Sequence, residues 1–504
     1  MIMSLKEYRN SVLGCWMGKS IGGTLGAPME WKRQINNVDF YTQDTGGNPL
    51  PNDDLDLQLV WLIALEEKGI DIDAATLGEY WLSYITPHWA EYGNAKVNMK
   101  AGLLPPLSGM ENNPYKDSCG AFIRSEIWSC ISPGCPEVAV KYACEDAKVD
   151  HGNGEGLYAE IFCAALESAA FLVKDTIKLI EIGLSYIPDD CGIARVIKLV
   201  VDAFHAGKPY LEVRDDIFNK YRAHFMQYAG ISREDREKGF ADGPVGWDAP
   251  ANIGFIIIGL LYGEGDFEKS LCIAVNCGED TDCTAATIGS IYGIIHGFDA
   301  IPQKWIDPIG RGIATMCLNL GELQGLLPVN IDALTDRVER VAKQVVLRYI
   351  PSLELSEQKD TDISDFNTDR LFSNSAGKSL YSELNRTLHK FDFYDVAVDY
   401  HEGPYIKDNL PKKIKVSISN KYRIPGYLSI KWYTDEGWSV SPSKYGTVFI
   451  GSWNGNKAEL EFELTLCKAA ACVNRCVLEL TIEGRHTVML VPIVLLNGNL
   501  TRMP

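Results

Sequence analysis

The chain has 504 residues, enough for one large core plus a second domain, and its 46% hydrophobic and 23% charged residues are those of an ordinary soluble globular protein. A net charge of −19 argues against a nucleic-acid backbone as partner. No apolar run reaches the roughly 18 residues of a membrane span, and the N-terminal stretch MIMSLKEYRNSVLGCWMGKS lacks the apolar core of a signal peptide.

Residues 5 to about 350 are dominated by helical periodicity. The first helix carries Gly14, Gly18, Gly22 and Gly26 at a spacing of four. Glycine is costly inside a helix, so this face implies close approach of another helix or a ligand. Gly14 to Ser20 looks like a phosphate loop, but it is one residue short and follows no expected strand, which excludes that reading. Glu30 lies just past the helix, where a lone acid is more often a solvated loop residue.

Pro51-Asn52-Asp53-Asp54-Leu55 then opens the pattern Leu55-Leu57-Leu59-Val60-Leu62-Ile63-Leu65. A third cluster runs from Ser118-Cys119-Gly120-Ala121 through Arg124-Ser125-Glu126 to Asp150-His151-Gly152-Asn153-Gly154-Glu155-Gly156, before a helix over Leu157 to Val173. A small-residue loop at a helix start offers N–H donors to an anion such as a diphosphate. The competing reading is a turn with a capping Asn. Ile253 to Tyr262 reads as a buried helix. Gly278-Glu279-Asp280-Thr281-Asp282-Cys283-Thr284 opens the next, and Val338-Val341-Val345-Val346 marks the last. The 14 cysteines lack paired zinc spacing, and Cys163 and Cys272 fall inside helical patterns. They read as reduced thiols in a cytoplasmic protein.

The helix dipole accounts for one acid at a helix start. It does not account for Asp53-Asp54 and Asp280-x-Asp282 together. Four converging carboxylates repel one another unless a cation sits between them, and hard oxygen ligands favour Mg²⁺, Mn²⁺ or Ca²⁺. The expectation is a centre of one or two ions.

Between about 352 and 390 the sequence turns polar and irregular. From about 391 it alternates: Phe391-Phe393, Ile414-Val416-Ile418, Tyr427-Ser429-Lys431-Tyr433, Leu460-Phe462-Leu464 and Val477-Leu478-Leu480-Ile482. Several short strands in this span suggest an immunoglobulin-like β-sandwich. The expected organisation is an all-α domain over 1–350, a linker over 351–390 and a β-sandwich over 391–504. Trp432 and Trp438 read as core or platform, and Trp453 as the better candidate for exposure.

The stretches GCWMGKSIGGTLGAPMEW, NDDLDLQLVWL, SCGAFIRSE, DHGNGEGLYAEIFCAALESAAF and CGEDTDCTAATIGSIYGIIHG resemble the ADP-ribosylglycohydrolase family in sequence and order. The resemblance covers residues 10 to about 310, and the last motif is the most specific. It implies an all-helical enzyme holding two divalent ions, Mg²⁺ or Mn²⁺ with Ca²⁺ as an alternative, that cleaves the bond at ribose C1″ of ADP-ribosylated side chains or related compounds. The family's first metal motif falls on Asn52, Asp53, Asp54 and Leu55, and its second on Asp280, Thr281, Asp282 and Cys283. Its acid after the glycine-rich helix matches Glu30. Its ligand loop matches Ser118, Cys119 and Gly120, and its substrate-side histidine matches His151, with Asn153 and Gly154 beside it.

The implied metal ligands are therefore Asn52 (through its amide oxygen), Asp53, Asp54, Asp280 and Asp282. The implied catalytic groups are Asp280 or Asp282 as acid or base and Glu30 as a substrate gate. Leu55 and Cys283 stand where the family has Thr, Gly23 where many members have Asp, and Cys119 where Asn is usual. These departures leave two alternatives open: a hydrolase of another sugar linkage on the same metal scaffold, and a catalytically silent binding homologue. The expected partner is a small-molecule or ADP-ribosylated substrate, with neither nucleic acid nor membrane involved.

Overall fold

A computed structural model describes residues 1–30, 34–221, 246–364, 366–373, 386–452 and 455–500. By its contacts the chain divides into one unit of Met1–Ala95 with Asn112–Ser382 and another of Lys96–Glu111 with Glu383–Pro504.

The first unit is helical, apart from a parallel pair of short strands, β1 (Ile2–Ser4) and β2 (Glu354–Ser356). Helix α1 (Leu5–Gly26) runs along the helix Thr281–His296. The glycine ladder lies at their contact. A Cβ on Gly14, Gly18, Gly22 or Gly26 would lie 2.6, 1.9, 2.1 or 2.3 Å from the carbonyl oxygen of Gly293, Gly289, Ala285 or Thr281. The two backbones thus touch along an antiparallel seam that any side chain would wedge open.

Helix α2 (Asp53–Lys68) starts on the N-cap Asn52, whose Oδ1 accepts the Asp54 N–H at 2.7 Å, and stops at Gly69 with φ +84°. From Asp54 to Leu65 it is buried on every side. Two further helices follow, α3 (Ala74–Tyr84) and α4 (Ala90–Ala101). The expected buried helix is present as Ala249–Tyr262, and the last helical pattern as Ile331–Tyr349. The helix placed over Leu157 to Val173 spans Glu155–Ala170. Among the described residues every cysteine is free, and no helix is long and apolar enough to cross a membrane.

The second unit contains two five-stranded sheets. One has the order β3 (Arg386–Lys390), β4 (Tyr394–Asp399), β6 (Lys412–Asn420), β10 (Lys457–Leu466), β8 (Trp438–Ser441). The other has the order β5 (Tyr405–Ile406), β12 (Val488–Asn497), β11 (Val473–Ile482), β7 (Gly426–Tyr433), β9 (Tyr445–Ile450). All pairings are antiparallel except β5 with β12. Period-two alternation puts Ile414, Val416 and Ile418 of one sheet and Leu478, Leu480 and Ile482 of the other into one apolar cluster. Leu103 and Leu107 join that cluster.

Phe391 to Phe393, expected as a strand, form the turn between β3 and β4. Trp432 and Trp438 are core residues. Trp453 lies outside the described residues, as do 374–385 of the expected linker.

Candidate active site

Three chain segments bring their acids together in the first unit. Glu30 follows a short 3-10 turn at the end of α1, Asp53 and Asp54 open α2, and Asp280 and Asp282 open the helix Thr281–His296. The seam between α1 and that last helix is what sets Glu30 beside Asp280 and Asp282. Ligand oxygens of these three lie within 4.8 Å of one another.

Glu30, Asp53, Asp280 and Asp282 open onto a cleft lined also by Trp89, Glu91, Tyr92, Ser118, Cys119, Gly120, Trp247 and Cys283. Asp53 accepts a hydrogen bond from Tyr92 Oη at 2.8 Å. The Asp280 N–H donates to Asn252 Oδ1 at 3.2 Å, and Asp282 Oδ2 accepts from Asn52 Nδ2 at 3.3 Å. Asp282 Oδ1 is buried with no hydrogen-bond donor.

Burial first, and crowding of like charge after it, favours the protonated form of these groups. Burial, then Asp282, Asp53 and Asp54, pushes Glu30 up to about 9. Burial and the neighbouring Asp282 and Glu30 hold Asp280 well above the usual carboxylate range. Burial and Asp53 push Asp282 up to about 6. The donor set and the donor-free Asp282 oxygen fit a hard divalent cation, the charge the cluster lacks.

Asp54, expected among the metal ligands, is fully buried and is not among the residues lining the cleft. Its Oδ1 accepts from the Cys283 thiol at 3.5 Å, and its Oδ2 lies 3.7 Å from Lys19 Nζ. Asn52 uses its amide oxygen as the cap of α2. Space for the Asn52 side chain comes from Gly23, where a Cβ would lie 2.6 Å from Asn52 Nδ2.

Ser118, Cys119 and Gly120, expected from the sequence to form a ligand loop, lie on the cleft lining. They are fixed from behind: the Cys119 N–H donates to Trp247 O at 2.9 Å, and the Ala249 N–H to Asp117 O at 3.0 Å. His151 is not at the cleft surface. It is fully buried, with Nε2 3.1 Å from Ser118 Oγ and Nδ1 3.0 Å from Asp150 Oδ1. Asp150 is in turn paired with Arg124 Nη2 at 2.6 Å.

Asn153 and Gly154 also lie off the lining. The helix start they precede, read as an anion site, is occupied by a carboxylate of the chain. Asp117 Oδ1 accepts the Glu155 N–H at 2.9 Å. Glu155 then caps the helix Gly192–His205, accepting from the N–H groups of Gly192 and Ile193 at 2.7 and 2.9 Å.

Trp89, Ala90, Glu91, Tyr92 and Trp247 line the cleft and escaped sequence reasoning. Glu91 is the most consequential. Burial pushes it up to about 7 against the opposing effect of His151, and a Cβ on Gly120 would lie 2.0 Å from its Oε1. Only the aromatic–acid run Trp89-Ala90-Glu91-Tyr92 could have flagged it.

Residues 4–343 match the family described as ADP-ribosylglycohydrolase. A stretch of 49 residues, 10% of this chain, is 35% identical to the ADP-ribosylarginine hydrolase Tri1 of Serratia proteamaculans, and spans 13% of that protein's length. A protein of Archaeoglobus fulgidus is 21% identical over 315 residues, covering 60% of this chain and 91% of its own length. Among solved structures, a FixG-related protein from Vibrio parahaemolyticus matches 21% of this chain and 99% of its own, at 11% identity and a TM-score of 0.18. The GAE domain of GGA2p from Saccharomyces cerevisiae matches 22% of this chain and 98% of its own, at 16% identity and a TM-score of 0.16. At those scores neither carries a structural argument.

Proposed function

From the premise that the chain belongs to the ADP-ribosylglycohydrolase family, a family of hydrolases, we propose that it is a metal-dependent glycoside hydrolase that cleaves a ribosyl C1″ linkage, with an ADP-ribosylated compound as substrate. The observation that carries this reading is the meeting of Glu30, Asp53, Asp280 and Asp282 at one cleft, with a buried, donor-free oxygen on Asp282. A divalent ion bound there would supply Lewis-acid charge to the ribose hydroxyls and to the attacking water.

The chain's own groups do the rest. Breaking the C1″ bond develops oxocarbenium character, which a wall of carboxylates stabilises. A carboxylate of the Asp280–Asp282 pair takes the proton of the water as its oxygen bonds to C1″, and the leaving group departs with a proton from an acid in the cleft. Glu30, last residue of the α1 turn, closes over the substrate as its gate. Trp89, 52% exposed, and Trp247 offer ring faces to a base or a sugar.

A second reading, hydrolysis of a different sugar linkage on the same scaffold, is favoured by one observation: the cleft presents a thiol, Cys283, where the family offers a hydroxyl ligand. The strand-rich unit is proposed to be an immunoglobulin-like sandwich, supported by its strand pairing and common core, and a cytoplasmic setting is proposed from the free thiols.

The test is mass-spectrometric turnover of ADP-ribosyl-arginine and ADP-ribosyl-serine peptides, O-acetyl-ADP-ribose, ribosides and simple glycosides, with Mg²⁺ or Mn²⁺ and with chelator. Free ADP-ribose released only with metal supports the first reading. Turnover confined to the other glycosides replaces it with the second.

A further inference from the structure

The two acidic motifs do not face the same space. Glu30, Asp53, Asp280 and Asp282 line the cleft, whereas Asp54 lines a separate small cavity with Lys19, Gly23, Asn52 and Leu55. On the Asp54 side Oδ2 is buried without a hydrogen-bond partner, and the groups nearest the carboxylate carry N–H or S–H. Lys19 Nζ lies 3.7 Å from Asp54 Oδ2 and 2.8 Å from Glu126 Oε1, and also donates to Ile123 O at 2.7 Å. The Cys283 thiol donates to Asp54 Oδ1, and Asn52 Nδ2 donates to Asp282 Oδ2. Leu55 contributes only carbon.

A divalent ion needs converging lone pairs, and beside Asp54 it would meet an ammonium, a thiol and an amide N–H₂ instead. Asp54, Asp282 and Cys283 do bring three ligand atoms within 4.8 Å, but a thiol is a poor partner for a hard cation. Glu30, Asp280 and Asp282 form an all-carboxylate group; a donor-free oxygen occurs on both sides, Asp282 Oδ1 and Asp54 Oδ2, but the Asp54 oxygen has the Lys19 ammonium 3.7 Å away. Lys19 is 2% exposed and sits in a cage of acceptors, so its charge is part of the fold.

We propose that the centre takes a single divalent ion, on the cleft side among Glu30, Asp280 and Asp282, and that Lys19 supplies the fixed positive charge beside Asp54 where a second ion would otherwise sit. The inference rests on the metal-dependent reading above. It narrows the expected two ions to one ion and one lysine.

The test counts ions in the full chain. Protein stripped with chelator is dialysed against excess Mn²⁺ and analysed by inductively coupled plasma mass spectrometry and by low-temperature electron paramagnetic resonance. One Mn²⁺ per chain with the spectrum of an isolated ion is the expected result. Two per chain with the spectrum of a coupled pair overturns the inference and leaves the metal-dependent reading standing. No bound Mn²⁺ overturns both.

The double variant Lys19→Met/Cys283→Thr removes the cation and restores a hydroxyl, and it is expected to take up a second ion. A folded double variant that still binds one ion overturns the role given to Lys19. If it fails to fold, the wild-type count decides the stoichiometry alone.

Discussion

Gly18→Ala opposes two effects of known sign. Alanine inside a helix is favoured over glycine by about 1 kcal/mol, so helix propensity alone predicts stabilisation. Packing predicts the reverse. The new Cβ would lie 1.9 Å from Gly289 O. That is roughly 1.5 Å short of ordinary contact, and the obstacle is backbone that no rotamer change can move. Overpacking a core costs about 1–3 kcal/mol, and a backbone clash belongs at the upper end. The net expectation is a loss of about 2 kcal/mol. For a unit of this size that is a fall in Tm of about 3 °C. The seam must also open, which draws Glu30 at the end of α1 away from Asp280 and Asp282, so affinity for Mn²⁺ should fall as well. Differential scanning fluorimetry with and without Mn²⁺ reads both effects. A variant with unchanged or higher Tm would refute the packing argument and leave propensity as the winner.

Other perturbations address the cleft and the buried charges. Asp282→Ala removes the donor-free oxygen and should abolish stoichiometric Mn²⁺ binding without unfolding the helix it opens; retained metal after dialysis would remove this residue from the centre. Trp89→Ala should raise KM about fivefold, the equivalent of about 1 kcal/mol of ring contact, with kcat little changed, and an unaltered KM would take Trp89 out of substrate binding. Burial alone would raise Asp150, but Arg124 and His151 override it and lower it to about 2. A depressed carboxyl contributes stability above its unfolded value near 4 and loses it as pH falls toward 2, here about 2 kcal/mol. Asp150→Asn should therefore flatten the stability of the protein between pH 4 and 2 in urea titrations, and an acid limb identical to wild type would contradict the assignment.

The acid-bearing helix starts were legible because they use short-range chemistry. Asn52 caps its helix, the acids crowd the first turn, and an apolar pattern follows, all within a few residues. The glycine ladder announced a close approach, though not to what; its partner Gly289 is far away in sequence. Three things were hidden. Glu91 and Tyr92 open α4, whose sequence AEYGNAKVNMKA has no amphipathic face or motif, and reach the cleft only through tertiary packing. Asp54 and Asp53 are adjacent, and helical geometry turns neighbouring side chains about 100° apart, so one faces the cleft and the other Lys19. Strand β2 pairs with β1 in parallel from the other end of the helical unit, a contact that no local pattern encodes.

The carboxylates of Asp117 and Glu155 are not among the groups lining the cleft, yet each pins the start of a helix further along the chain: Asp117 that of Glu155–Ala170, and Glu155 that of Gly192–His205. Any activity-scored mutational survey would flag both positions as though they touched substrate. Asn in place of Asp117 keeps the one acceptor oxygen that the Glu155 N–H uses, whereas Gln in place of Glu155 keeps only one of the two oxygens that the Gly192 and Ile193 N–H groups use, and alanine leaves the buried N–H groups unanswered at either position. Tolerance of Asn with intolerance of Ala at position 117 is thus the signature expected to separate this scaffold acid from Asp280 and Asp282, where the proposed role needs the negative charge itself.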